Sequence, residues 1–396
     1  MCMPTGKKSL ARRVQNIGIS GIRHIMSLAA KESGVISLGQ GVPDARTPLY
    51  IREGVIELLR EDDKVGRYSL SAGLPALKEV VARELSEKAG FTVDPDKNIC
   101  ITAGAIEALA TAVSSIVEAG DEVLIMDPGY PPYTEQVVFA GGVPVYVPLQ
   151  SDNGWKIDLE QLRALITPKT KLVIICSPSN PTGMVIGKEE VEAIVKLSEE
   201  HGFFIFSDQA YEFLVYDATP TASFLAYPSI RDRLLVCYSF SKEFSMTGWR
   251  LGYLYAPEDI LAQVQKVHDA FVLCAPTISQ HAALIALTKK PDADPEGMHA
   301  DLSAKRELTC KRLDALSDLF SYAKPQGAFY VLARYKKTAL NSRDFAVRML
   351  KEAKVVCIPG SAFGAQGEGH VRFSYGVSDP RLNEAFDRIE TWNKTL

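Results

Sequence analysis

The chain has 396 residues, 46% of them apolar and 23% charged, with a formal net charge of −4. That is ordinary for a globular protein of two or three domains, or one large domain with an appendage, and it lacks the basic field of a nucleic-acid binder. No apolar run approaches the ~18 residues of a membrane helix, and seven cysteines scattered singly, with no CxxC pair, argue against a zinc site or a disulfide framework and for a reducing compartment.

The first 31 residues carry Lys7, Lys8, Arg12, Arg13, Arg23 and Lys31 and no acid. This faintly resembles an organelle transit peptide. A solvated basic arm is the plainer reading, and without a hydrophobic signal core the expectation is a cytoplasmic protein. A short helix is expected over 22–30. VISLGQGVPDARTP (35–48) then reads as a short strand ending in Gly39 and Gly41 before a Pro-Asp turn. Such glycines let the backbone approach a ligand, although most are plain turns.

An amphipathic helix is expected over 51–60. Tyr68 falls in an irregular stretch, and a helix starts near Leu74 or Pro75, proline suiting a first helical turn. A strand over 99–102 runs into Ala103-Gly104-Ala105. The helix that follows has apolar positions Ile106, Leu109, Ala110, Val113, Ile116 and Val117 at a 3.6-residue period, and Gly120 stops it. A strand, a small-residue turn and a helix N-terminus make an anion site, though a tight turn without a ligand has the same sequence. A strand over 122–126 leads to a Pro-Gly-Tyr-Pro-Pro-Tyr loop with Tyr130.

Three further apolar runs each deliver a polar cluster. LVIIC (172–176) leads into SPSNPTG, with Asn180. The run 203–206 leads into SDQAY, with Asp208 and Tyr211. LLVCY (234–238) leads into SFSKEFSMTGWRLGY (239–253), with Ser239, Ser241, Lys242 and, eight positions after the lysine, Arg250. With a helix over 188–201 between the first two, these strands imply a mostly parallel sheet covered on both faces. Ligands of such sheets bind beyond the carboxyl ends of the strands, and Gly104, Tyr130, Asn180, Asp208 and Lys242 all stand just after a strand. KKPDADPEG (289–297) marks a boundary or a solvated loop. After it come a long helix (298–316), KPQGAFYVLARY, a helix (343–353), VVCIPGSAFG, HVRFSYGVS and a helix (379–392), which together read as a smaller α+β domain.

These residues match the needs of a pyridoxal 5′-phosphate enzyme. Lys242 supplies an amine for the aldehyde. Asp208, costly unpaired after an apolar strand, faces the ring nitrogen; an ordinary N-cap aspartate is the competing reading. Asn180 and Tyr211 reach the phenolic oxygen, and Tyr130 stacks on the ring. Ser239, Ser241, Arg250 and the turn Gly104-Ala105-Ile106 cup the phosphate.

SFSKEFSMTGWRLGY, SPSNPTG, SDQAY, TAGAIEAL and HVRFSYG resemble the class I/II aminotransferases of the fold-type I superfamily, over nearly the whole chain. The resemblance implies an α/β fold: a large cofactor domain over 48–290 on a mostly parallel seven-stranded sheet between helices, and a small domain over 291–396 joined by part of the arm, 1–47. It implies pyridoxal 5′-phosphate, catalytic roles for Lys242, Asp208 and Tyr211, and no metal, nucleic-acid or membrane partner. Arg372 matches the arginine for the substrate α-carboxylate, with Gly41 and Asn180 beside it. Tyr68 matches a tyrosine that reaches the neighbouring subunit's phosphate, implying a homodimer with shared sites. The implied activity is ping-pong transfer from an L-amino acid to a 2-oxo acid such as 2-oxoglutarate.

The donor is less defined. Where one bacterial branch of aspartate aminotransferases has a lysine for the distal carboxylate, this chain has Ile106. FVLCAPTISQ (271–280), which lines the site in relatives, is apolar too. Both leave room for a neutral or aromatic side chain, whereas Arg23 resembles an arginine that some relatives use on a distal acid. C–S lyases, decarboxylases and synthases of cyclic amino acids share the scaffold. A transcription regulator would need a helix-turn-helix module before Val35, and a dinucleotide enzyme a GxGxxG after a strand; neither pattern is present.

Overall fold

The apolar runs lie side by side as strands in the computed structural model, which describes residues 10–15, 17–18, 20–62, 64–289 and 297–396. In chain order the first eight strands are β1 (Ile36–Ser37), β2 (Ile99–Thr102), β3 (Glu122–Asp127), β4 (Val143–Pro148), β5 (Thr170–Cys176), β6 (Phe204–Asp208), β7 (Leu234–Ser239) and β8 (Gly252–Tyr255). Seven of them form one sheet in the order β2-β8-β7-β6-β5-β3-β4. All neighbours pair in parallel except β8, which runs antiparallel to both β2 and β7.

Alternation along these strands explains why both faces are covered. Leu172 and Ile174 of β5 join Val123, Ile125, Phe206 and Leu235 in one core, closed by helices Ala105–Ile116 and Glu258–Phe271. Val173 and Ile175 join Leu124, Ile205 and Val236 in a core on the other face, with helices Pro75–Ala89 and Lys188–His201. Each fully buried aliphatic side chain stabilises by about 1.5–3 kcal/mol, so the sheet holds its strand ends firmly in place.

A third core gathers Ile25, Ile36 and Leu38 with residues from 302 to 392. Here β9 (Phe320–Tyr322), β10 (Tyr330–Tyr335), β12 (Ile358–Pro359) and β13 (His370–Ser374) form an antiparallel sheet in the order β12-β13-β10-β9, and β1 pairs in parallel with β11 (Val355–Val356). Helices Gly297–Ala315, Ser342–Glu352 and Asp379–Asn393 pack around it.

Several details differ from the sequence expectation. β4 and helix Pro132–Ala140 were not anticipated, because the Pro-rich PGYPPY stretch reads as loop; its second and third prolines cap the helix instead, at the N-cap and first-turn positions. The helix expected to run through Val117 spans Ala105–Ile116; Val117 is extended, and Gly120 (φ 93°) lies in a turn after the helix rather than ending it. The compositional boundary at 290–296 and the first part of the basic arm, residues 1–9, lie outside the described residues. Among the described residues, no helix is long and apolar enough to cross a membrane, no group of three or more metal-ligating side chains gathers, and six cysteines are free.

Candidate active site

The carboxyl ends of β2, β3, β5, β6 and β7 open onto a cavity of about 300 Å³. The reversed direction of β8 matters here. Gly252 at its start is in register with Thr102 at the end of β2 and with Ser239 at the end of β7. Arg250 therefore enters the same edge as Gly104 and Lys242.

Lys242 follows β7 within the short helix Phe240–Glu243, capped by Ser239, whose Oγ accepts the N–H of Ser241 at 3.2 Å. Its Nζ donates to the carbonyl of Gly41. Burial, then the positive charges of Arg372 and Arg250, lower its pKa from the usual 10.5 to about 8, against a smaller opposing pull from Asp208. A primary amine that sheds its proton near neutrality can act as a base or attack a carbonyl.

Asp208 ends β6 with 8% exposure. Its Oδ2 accepts the phenol of Tyr133 at 2.7 Å and its Oδ1 accepts the N–H of Ala210 at 3.0 Å. Burial raises its pKa, while these two bonds pull the other way. A cation across the cavity would remove the remaining cost of the carboxylate charge. Tyr130 also lines the cavity, edge-on to Tyr133 with ring centroids 5.6 Å apart.

Arg372, on β13, is 2% exposed. Nη1 donates to Asn180 Oδ1 at 2.8 Å and Nη2 to the carbonyl of Gly39 at 2.7 Å, while Nε, buried, has no hydrogen-bond partner. The guanidinium lies between two rings, 4.4 Å from the centroid of Tyr330 and 4.8 Å from that of Phe363. Asp127 steadies the Phe363 segment, accepting the N–H groups of Ala365 and Gln366 at 3.1 Å each. The groups bonded to or stacked on Arg372 are all neutral, so its charge is buried and uncompensated, and burial lowers its pKa. A flat guanidinium in that condition is a receptor for a planar anion.

Tyr330 connects these parts. Its hydroxyl pairs with that of Tyr211 at 2.8 Å, and a Cβ on Gly41 would come within 2.5 Å of it. Glycine at 41 thus lets the backbone pass between Tyr330 and Lys242. The anion turn has a similar constraint. Gly104 caps helix Ala105–Ile116 at φ 90°, and a Cβ there would meet Arg250 Nη2 at 2.8 Å. Free helix-start amides, Arg250 and the hydroxyls of Ser239 and Ser241 face one region.

Of the residues singled out from sequence, Gly41, Ala105, Ile106, Tyr130, Asn180, Asp208, Tyr211, Ser239, Ser241, Lys242, Arg250 and Arg372 line this cavity, with Gly104 directly against Arg250. Tyr68 does not: it is 82% exposed on the surface. Arg23 does not either; its neighbour Ile22 lines the cavity while the arginine faces solvent. Phe271 and Leu273 are exposed and none of 271–280 reaches the cavity of this chain. Sequence reasoning missed Tyr133, Tyr330, Phe363 and the carbonyls of Gly39 and Gly41. Tyr133 carried a signal, being the second tyrosine of PGYPPY after a strand; Tyr330 and Phe363 read as core aromatics.

The residue set fits pyridoxal 5′-phosphate on its own geometry. It offers a low-pKa amine, a buried carboxylate, a glycine turn pressed against an arginine, and a buried guanidinium with an unused N–H. Comparison with known proteins agrees. The family described as aminotransferase class I and II matches residues 33–389. The chain is 38% identical over 383 residues to aromatic-amino-acid aminotransferase 2 of Thermococcus litoralis and, equally, to an aspartate aminotransferase of Pyrococcus abyssi, each time covering 96% of this chain and 97% of the relative. The structure of the aspartate aminotransferase from Thermus thermophilus with maleate superposes with a TM-score of 0.90 at 33% identity, covering 97% of this chain and 100% of that one.

Proposed function

The chain belongs to the class I and II aminotransferases and is a pyridoxal-phosphate-dependent transaminase; within that activity we propose that it passes the amino group of an L-amino acid to 2-oxoglutarate in a ping-pong cycle. The observation that carries this reading is the buried, uncompensated guanidinium of Arg372 in the same cavity as the low-pKa amine of Lys242. An α-carboxylate on Arg372 leaves the substrate's Cα to face the base.

The bound cofactor supplies an electron sink for the charge left when Cα loses its proton. The protein does the rest. Arg372 and Asn180 hold the α-carboxylate beside Gly41. Lys242 Nζ would anchor the cofactor and, once displaced by the substrate amine, would take the proton from Cα and hand it on across the bridging nitrogen. Asp208, itself held by Tyr133, would keep a proton on the ring nitrogen. Asn180 and Tyr211 would hold the phenolic oxygen, and Tyr130 would cover the ring. Gly104, Ala105, Ile106, Ser239, Ser241 and Arg250 hold the phosphate.

We propose a donor with a neutral or aromatic side chain, since Ile22, Val42, Ile106 and Leu109 form the apolar part of the cavity wall; aspartate is the alternative, both names occurring among relatives. Arg23, next to Ile22, is the residue we propose for the distal carboxylate of a dicarboxylic acceptor. That the Thermus relative carries maleate, a dicarboxylate, in its structure supports such an acceptor. We further propose a homodimer in which Tyr68 reaches the partner's phosphate. The exposure of Tyr68, Leu70, Phe271 and Leu273 (82, 65, 62 and 47%) supports an interface there. Division into 48–290 and 291–396, with 1–47 shared, is likewise our reading, as is a cytoplasmic location, which six free cysteines suit.

A donor screen with 2-oxoglutarate, following glutamate formation, tests the proposal. Keto-acid-dependent transfer from aromatic or neutral donors is expected. Release of ammonia or pyruvate without a keto acid would make it a lyase.

A further inference from the structure

Behind the anion turn lies a buried charged pair that the chemistry above does not use. Glu107 stands in the first turn of helix Ala105–Ile116 with 9% exposure, and His268, near the end of helix Glu258–Phe271, is fully buried. Glu107 Oε2 accepts the backbone N–H of Ala103 at 2.5 Å, and Oε1 meets His268 Nδ1 at 2.7 Å. On the other side of the ring, His268 Nε2 lies 3.0 Å from the carbonyl oxygen of Ser71. A carbonyl can only accept, so Nε2 carries a proton; the carboxylate on the opposite nitrogen makes the second proton favourable as well.

This arrangement answers an electrostatic problem. The turn Ala103-Gly104-Ala105 needs its shape held, and Glu107 holds it through the Ala103 N–H. Yet a bare carboxylate within the first helical turn would repel any anion at that helix start and cancel part of the helix's positive end. The imidazolium removes that repulsion while leaving the hydrogen bond. The same ring pins the loop that carries Tyr68. Ser71 Oγ bonds Asp269, Ser69 Oγ accepts from Gln280 Nε2 at 2.9 Å, and Leu74 N–H donates to Gln280 Oε1 at 2.7 Å.

We propose that His268 is a positioning residue for the cofactor phosphate: it neutralises Glu107, so that a carboxylate can shape the anion turn without opposing the anion. This rests on the reading that the phosphate sits at Gly104 and Arg250. The test compares two ligands of the apoprotein, pyridoxal 5′-phosphate and pyridoxal, which lacks the phosphate, by equilibrium dialysis. His268→Gln is expected to weaken pyridoxal phosphate about tenfold and leave pyridoxal unchanged. Adding Glu107→Gln, which keeps a hydrogen-bond acceptor for Ala103 but removes the charge, is expected to restore most of the loss. If both ligands weaken equally, or the double variant is no better than the single, His268 is core packing and the proposal fails. Arg250→Ala separates the two levels. If it does not erode the preference for the phosphorylated ligand, the phosphate reading itself is wrong; if it does and His268→Gln does not, only this inference is wrong. Should His268→Gln fail to fold, nitrogen NMR of the wild-type holoenzyme at neutral pH decides: both ring nitrogens protonated is expected, and a neutral tautomer overturns the proposal.

Discussion

Arg372 Nη1 donates to Asn180 Oδ1 at 2.8 Å, joining β13 of the small sheet to the loop after β5 of the large one. Both side chains are buried, and the second η nitrogen is spent on Gly39. The guanidinium is thus held between Tyr330 and Phe363 at the cavity wall, with its buried Nε–H unpartnered. Arg372→Lys keeps the charge but loses the fork. It is expected to raise KM for the amino acid roughly tenfold to a hundredfold, as a hydrogen bond to a charged group contributes about 1.5–3 kcal/mol, with a smaller fall in kcat. Steady-state kinetics checks this; an unchanged KM contradicts the assignment.

Tyr133 was not read as a site residue, yet its hydroxyl donates to the Asp208 carboxylate at 2.7 Å. Tyr133→Phe removes only the oxygen. A hydrogen bond to a charged group contributes about 1.5–3 kcal/mol, so kcat is expected to fall by roughly tenfold to a hundredfold. A variant with wild-type kcat would show that Asp208 needs no such support.

The lowered pKa of Lys242, about 8 in the folded apoprotein against 10.5, has a definite sign. The fold favours the neutral amine, so the contribution is fully present above 10.5 and is lost as pH falls through 8. Apo Lys242→Met, which has no charge to bury, should therefore gain stability over the wild type as pH drops from 10.5 to 8, with the difference level below that. In parallel, uptake of pyridoxal phosphate by the wild-type apoprotein should speed up with pH, with its midpoint near 8 and a plateau above it. A difference in melting temperature that does not vary with pH contradicts it.

Exposure of Tyr68 in the single chain sets up a subunit-mixing experiment. Lys242→Ala is expected to be inactive and Tyr68→Ala impaired. A mixed dimer contains one site with both wild-type residues, if Tyr68 serves its neighbour. Refolding the two together should recover activity above the average of the parents. No recovery would place Tyr68 outside the neighbouring site.

Much of the site was legible because each polar residue follows an apolar run, and parallel strands bring such ends together: Asn180 after β5, Asp208 at the end of β6 and Lys242 after β7 needed only that rule. Arg372 was legible only through resemblance, since HVRFS alone reads as a strand end. The direction of β8 was not, because alternation carries no direction, and so its delivery of Arg250 to the edge was hidden. Tyr330 was hidden for another reason: an aromatic in FYVLARY packs a core and lines a cavity with the same residue pattern. Arg23 and Tyr68 face solvent in the single chain, so their proposed roles depend on movement or on a partner.

Lys242 is proposed to carry the cofactor, and borohydride reduction of the holoenzyme, followed by digestion and peptide mass spectrometry, tests that assignment. The reduced cofactor is expected on the peptide containing Lys242 and on no other lysine, and is expected to be lost in Lys242→Ala. A label on a different lysine, or an unchanged label in that variant, would contradict it.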